Sequence, residues 1–403
     1  MDTNILHTTA KEPAPTFTIH SIESIFKSRF SVATSVQLLW KGKDSFDTIF
    51  DAVKKAERLI CLEFYIFRND ETGNELAEIL KQKSREGVRV YVLYDHFGSL
   101  GTPRRFWKDL KAAGVNVRAS RPFKWTAPSG YVHRNHRKLI VVDCLKAFMG
   151  GLNIANEYSG FHLRRRGRGW RDTGIMLEGP IAYELFKAFK KDWLTWSRET
   201  IDFHSNTTDR KVACDAHAPC CCIPVIPIVT NSAKDRRKMR RLLYYSINHA
   251  RKSISLTTAY FTPSWRMVET LEQAVNRGVK VRLIVPGVSD VPAASYAGKA
   301  FFSRLLRAGV EIYLYSGEIL HAKSSLFDDC WGIVGSTNLD FQSFRYNDEG
   351  NVGILDPEFA AKMDEVFEED LRHSERIELN TWQKRPLTEK LKEHFYSLFR
   401  RRL

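Results

Sequence analysis

Residues 136–153 read HRKLIVVDCLKAFMGGLN, and residues 321–338 read HAKSSLFDDCWGIVGSTN. Aligned on their histidines, the two stretches share a lysine two positions on (Lys138, Lys323) and an aspartate seven on (Asp143, Asp328). An asparagine stands 17 positions on in both (Asn153, Asn338). One such pattern is a weak signal, but two in register, each closing the same kind of segment, mark a chain built twice. Alternation along LIVVD and SSLFD makes each stretch a strand with His and Lys at its start. Residues i and i+2 of a strand face the same side, so each imidazole and its neighbouring ammonium converge on one spot.

The same repeat is visible upstream of each motif. In the first half, Ser45–Arg58 has helical spacing and Leu59–Phe67 (LICLEFYIF) is strand-like. Gly73–Glu86 is an amphipathic helix, Val88–Tyr94 (VRVYVLY) a buried strand, and Arg104–Ala113 a helix leading to Gly114 and VNVR. The second half repeats that order with Arg236–Arg251, Ser253–Phe261, Trp265–Arg277, Val279–Val285, and Lys299–Ala308 before VEIYLY. Alternating helices and continuous apolar strands predict an α/β fold whose sheets are flanked by helices. The expected organisation is an N-terminal extension (1–35), a first half (36–204), a linker (205–232), a second half (233–380) and a basic amphipathic tail (381–403).

Composition narrows the partners. With 403 residues, 43% hydrophobic and 12% aromatic, the chain can bury a large core and is not a disordered protein. Its net charge of +15 favours a polyanion: nucleic acid, an anionic membrane surface or a phosphorylated substrate. The N-terminus lacks the pattern of a signal peptide, and no stretch reaches the roughly 20 apolar residues of a membrane span. Seven cysteines, four of them at Cys214, Cys220, Cys221 and Cys222, form no paired C-x-x-C spacing. They are read as part of an irregular linker, neither a metal site nor a disulfide framework.

Two His/Lys pairs brought together by pseudo-twofold packing would make one pocket for a phosphate diester. At about 4 Å each lysine attracts a phosphate charge by roughly 4 kcal/mol at an effective dielectric of 20, so no metal or organic cofactor is expected. The amides of Asn153 and Asn338 and the hydroxyl of Ser336 are candidate donors to the non-bridging oxygens. Asp143 and Asp328 complete the signature and are grouped with its catalytic residues. Their place at the far end of the strand nevertheless predicts a mainly structural use.

The doubled H-x-K-x4-D with G-G-x-N and G-S-x-N resembles the signature of the phospholipase D superfamily, over roughly residues 40–375. The details resemble a bacterial cardiolipin synthase: E-x-Y-I-F at Glu63–Phe67, Y-D-x-x-G-S at Tyr94–Ser99 and W-R-D at Trp170–Asp172 in the first half. The second half has A-Y-F-T-P at Ala259–Pro263, G-S-T-N-L-D-x-x-S, and N-x-E at Asn347–Glu349. The resemblance implies two homologous phospholipase D-like halves joined in one pseudo-twofold unit with a shared active site. It implies His136 as nucleophile, His321 as acid and base, and a phosphohistidine intermediate. Orienting carboxylates on the second ring nitrogens are expected from Glu349 and Asp172. One large class of these synthases carries two N-terminal membrane helices. This chain lacks that pattern and resembles the shorter, peripheral class.

The expected reaction is therefore cardiolipin formation from phosphatidylglycerol and a second phospholipid, with release of the leaving alcohol, at the cytoplasmic side of the cell membrane. Anionic phospholipids and the membrane surface are the expected partners, and nucleic acid is not. The rival readings are a phospholipid-hydrolysing phosphodiesterase and a phospholipase D-like endonuclease, which share the chemistry at phosphorus. A non-catalytic binding module would be favoured had one His or Lys been lost, and none is. Two basic segments remain: His162–Arg171 (HLRRRGRGWR), a rim able to gather phosphate headgroups, and the tail from Leu387. In that tail Leu387, Leu391, Phe395, Leu398, Phe399 and Leu403 share a helical face flanked by Lys and Arg. The pattern suits either an interfacial helix or packing on the body.

Overall fold

The computed structural model describes residues 16–123, 125, 132–160, 169–203 and 222–400. Two mixed sheets form the framework. The first has seven strands in the spatial order Ser35–Leu39, Gly174–Glu178, Lys146–Gly150, Lys138–Val142, Leu59–Phe64, Arg89–Asp95 and Asn116–Ser120. The second repeats that order with Ile223–Val229, Gly350–Leu355, Trp331–Gly335, Ser324–Phe327, Ser253–Thr257, Lys280–Pro286 and Glu311–Tyr315. It gains an edge strand at each side, Ser31–Ala33 and Ser374–Arg376.

Strand direction follows from the connections. Leu59–Phe64, Arg89–Asp95 and Asn116–Ser120 run parallel because the helices Glu71–Arg85 and Arg104–Ala112 cross between them. Lys138–Val142 and Lys146–Gly150 need only a tight turn and are antiparallel. That turn is where Asp143 sits, at φ +52°, as Asp328 does in the second half at φ +51°. The Asp143 carboxylate accepts from the backbone N–H groups of Glu57, Arg58 and Leu59 at 2.7–2.9 Å. Asp328 does the same for Arg251, Lys252 and Ser253. Both aspartates pin the start of the central strand at the end away from the histidines. The structure thus corrects their grouping with catalytic residues and agrees with the expected structural use.

The halves share a core. Leu139, Met149, Ile175 and Leu177 of the first sheet pack with Leu326, Val334, Val352 and Ile354 of the second. The helices Pro180–Ser197 and Pro357–Arg372 contribute Phe186, Phe189, Phe359 and Met363 to the same cluster. The chain between residues 31 and 39 also ties the sheets, pairing first with Ile223–Val229 and then with Gly174–Glu178. Two expected boundaries differ from what is observed. Helix Ile19–Phe26, in the expected extension, buries Ile22 and Phe26 in the core of the second half. Residues 223–229, expected in a linker, form a strand whose Val225, Ile226 and Ile228 are buried. Pro224 and Pro227 hid it, since prolines in a run argue against a strand. Cys214, Cys220 and Cys221 lie outside the described residues. Cys222 is disulfide-bonded, which departs from the reading of the cluster as a linker without disulfides, while Cys61, Cys144 and Cys330 are free.

Candidate active site

Each histidine stands two or three residues before the next strand, in a short segment paired with the other half. His136 N donates to Asp348 O at 2.9 Å, and Asp348 N donates to Arg134 O at 2.8 Å. On the other side Ile319–Leu320 pairs in parallel with Trp170–Arg171, and His321 N donates to Arg171 O at 2.8 Å. This crossed pairing carries the carboxylates to the rings. His136 Nδ1 lies 3.0 Å from Glu349 Oε2, and His321 Nδ1 lies 2.6 Å from Asp172 Oδ2. All four side chains are buried.

The lysines lie beside the rings, as two-residue spacing requires. Lys138 Nζ donates to His136 O at 2.7 Å, and Lys323 Nζ reaches His321 Nδ1 at 2.7 Å and also its carbonyl. Burial and then the Lys323 charge hold Lys138 down to about 7, and burial holds Lys323 down to about 8. Burial and the adjoining lysines also depress both imidazoles, His321 to about 4, against the pull of their carboxylates. Burial alone would raise Asp172 and Glu349. The nearby lysines and histidines outweigh it and hold both carboxyls below their ordinary values.

The equivalent positions 151 and 336 show why the carboxylates fit. A Cβ on Gly151 would lie 2.0 Å from Asp172 Oδ1, so only glycine leaves that carboxylate room. At Ser336 the side chain is used: its hydroxyl donates to Glu349 Oε2 and accepts from Gly350 N at 3.0 Å. The expected donation from Ser336 to a substrate phosphate is corrected accordingly, because the hydroxyl is committed behind the imidazole. Asn153 accepts from Ile66 N at 3.0 Å and donates to Tyr158 OH at 2.8 Å, leaving its second amide hydrogen for a ligand. Asn338 Oδ1 is buried and has no partner among the described residues.

These groups open into a cavity of about 570 Å³ lined by His136, His321, Asn153, Asn338 and a set of aromatic rings. Tyr65 stands edge-on to His136 at 5.0 Å, while Tyr158 and Trp170 flank His321 at 5.4 and 5.2 Å. Sequence reasoning quoted the motifs holding Tyr65, Tyr260 and Asp340 without assigning them to the cavity wall. Their pocket-facing position depends on loop ends, for which strand periodicity gives no signal. Gly98 of the Y-D-x-x-G-S motif lies against the Tyr65 backbone, where a Cβ would meet Tyr65 O at 2.3 Å. Behind His136, buried Arg137 pairs with Glu63 at 3.2 Å and with Asp192, and Glu63 also accepts from Asn135 at 2.6 Å. Residues 161–168, including Arg164, Arg165 and Arg166, lie outside the described residues.

A family model described as cardiolipin synthase, PLD-like domain, matches residues 49–193 and 243–371. The probable cardiolipin synthase YwiE of Bacillus subtilis (strain 168) is 34% identical over 374 residues, covering 91% of this chain and 72% of that protein. The chain belongs to the cardiolipin synthase family. The major cardiolipin synthase ClsA of the same organism is 32% identical over 365 residues, 90% of this chain and 74% of that protein. A phosphatidylserine synthase from Haemophilus influenzae Rd KW20 shares the fold, with a TM-score of 0.72 over 96% of this chain and 100% of that one at 15% identity. Within the family the protein is a phosphatidyltransferase of the phospholipase D superfamily. Among the described residues no helix is long and apolar enough to cross a membrane.

Proposed function

We propose that the protein makes cardiolipin from two molecules of phosphatidylglycerol, releasing glycerol, through a phosphatidyl group carried on His136. The observation that carries the reading is the crossed His136–Glu349 and His321–Asp172 pairing on one cavity. An Nδ1–H given to Glu349 leaves the Nε2 lone pair of His136 for phosphorus. His136 Nε2 attacks, the bond from phosphorus to the glycerol oxygen breaks, and that oxygen takes a proton from His321. His321 then removes the hydroxyl proton of the second phosphatidylglycerol. The freed oxygen attacks phosphorus and the electron pair of the P–N bond returns to His136. Lys138 and Lys323, with Asn153 and Asn338, hold the non-bridging oxygens. The phosphate charge on arrival offsets the lysines and raises His321 towards the protonated form it needs as an acid.

The tail supports a phospholipid surface as the working environment. Helix Leu387–Leu398 rests on helix Pro292–Lys299 through Tyr396, stacked on Tyr296 at 5.6 Å, and Lys392 above the same ring. Its other face is open: Leu387 is 74% exposed, Leu391 67%, Phe395 55% and Leu398 63%. Val291, just before the supporting helix, lines the cavity, so the helix that carries the apolar row rests on an element that leads from the cavity wall. Apolar side chains rimmed by Lys and Arg suit an anionic membrane and have no use on a nucleic acid. We place the protein on the cytoplasmic face of the cell membrane. The test is to incubate the full chain with vesicles of glycerol-labelled phosphatidylglycerol. Cardiolipin and free glycerol in equal amounts are expected; phosphatidic acid as the main product would make the protein a hydrolase.

A further inference from the structure

A second cavity of about 270 Å³ lies next to the histidine pocket, and Asp340 is a wall of both. The short helix Phe341–Arg345 divides them, with Gln342 on the pocket side and Phe341, Phe344 and Arg345 on the other. Three separate helices each bring an arginine to the second cavity: Arg240 from Ala233–His249, Arg266 from Trp265–Asn276 and Arg345. Arg240 is half-buried and Arg266 and Arg345 stand at the rim, and none of the three has a carboxylate partner among the described residues. Two are braced by rings, Arg266 over Tyr244 at 4.9 Å and Arg345 over Phe341 at 5.5 Å, which fixes the cation while leaving N–H donors free. Met267, Leu339 and Phe344 give the cavity an apolar side. Asp340 does little to neutralise the arginines. Burial, with the Glu349 charge, pushes its carboxyl up to about 7, and the carboxylate is turned to Ser343 N at 2.7 Å.

We infer that this cavity binds the phosphate and upper chains of the acceptor phospholipid, whose free hydroxyl passes Asp340 to the histidine pocket. The inference rests on the transfer reaction proposed above and deepens it. An acceptor held through three guanidinium groups has a far higher effective concentration at the phosphohistidine than water does, so transfer outruns hydrolysis. Arginine donors beside apolar side chains match a phosphodiester with its lipid, and match a free anion poorly.

Two readouts test it on the full chain. The first is titration of the His136→Ala protein with dihexanoyl phosphatidylglycerol below its micellar concentration. Two binding sites are expected, falling to one when Arg240→Gln, Arg266→Gln and Arg345→Gln are added, with an unchanged melting temperature. The second compares cardiolipin formation with exchange of labelled glycerol into phosphatidylglycerol by otherwise native protein. The three substitutions should lower the ratio of cardiolipin to exchange about tenfold; the single Arg266→Gln, at an exposed position, should lower it in part. An unchanged stoichiometry together with an unchanged ratio overturns the inference. Binding of inorganic phosphate as tight as that of the lipid overturns it too, by making this a free-anion site. A protein that forms neither product overturns the proposed reaction instead, and the titration still reads the cavity.

Discussion

His136 Nδ1 and Glu349 Oε2 lie 3.0 Å apart although 213 residues separate them, and the mirror contact joins His321 to Asp172 across 149. Neither half therefore holds a complete catalytic pair: each imidazole is oriented by the other half. Replacing Glu349 with Gln keeps the shape and removes the charge that holds the imidazole. The expected loss is about a hundredfold or more in the rate of transfer. Glu349→Asp should recover part of it, because the charge returns. Equal rates for Glu349→Gln and the native protein would remove the carboxylate from the mechanism.

Both histidines should be required in one chain. His136→Ala and His321→Ala should each lose more than about a thousandfold, the scale of lost nucleophilic or acid–base help. Mixing the two variants should restore nothing, because the halves meet within a chain through a shared buried core. Either variant keeping a tenth of the native rate would sink the shared-site account.

Anion binding should take up protons. Lys138 is held at about 7 and Lys323 at about 8 by burial, so around pH 8 much of their charge is missing. A phosphate raises both, so binding at pH 8 should draw in on the order of one proton, and affinity should fall as pH rises from 7 through 8. For stability the sign is the opposite of a salt-bridged lysine. The folded values lie below the unfolded one, so the penalty of burial is fullest below about pH 7 and fades towards about pH 10. Calorimetry of phosphate binding in buffers of different ionisation enthalpy reads the uptake. Proton release would contradict this electrostatic picture.

The exposed row on the last helix should bind anionic vesicles. Leu391→Glu with Phe395→Glu changes two exposed positions and should weaken co-sedimentation with phosphatidylglycerol vesicles at least tenfold, leaving the melting temperature unchanged. Each apolar side chain entering the interface contributes on the order of 1–2 kcal/mol. Removal from Leu387 onward should do the same, with turnover of a short soluble diester retained. Unaltered sedimentation would assign the row to another partner.

What the sequence revealed, and what it hid, follows from the range of the interactions. The doubled H-x-K-x4-D and the order of strands and helices are local patterns, and both sheets repeat one strand order accordingly. The tail's apolar face was visible as helical spacing. Its exposure was not, because that depends on Tyr396 choosing Tyr296 as its support. Ser336 reads as a phosphate donor from its place in G-S-T-N. Only the neighbouring strand shows that its hydroxyl is taken by Glu349. The strand Ile223–Val229 was hidden by two prolines that a position beside a short edge strand tolerates. Arg240, Arg266 and Arg345 are far apart in sequence and carry no motif, so their meeting is visible only in three dimensions.

The most direct test of the two-step account is to quench turnover of labelled phosphatidylglycerol under conditions that preserve phosphohistidine and map the label. The account predicts a phosphatidyl adduct on the peptide carrying His136, absent from His136→Ala and greatly reduced in His321→Ala, which lacks the proton donor of the first step. An adduct on His321, or steady cardiolipin formation with inversion at phosphorus and no labelled peptide, would contradict it.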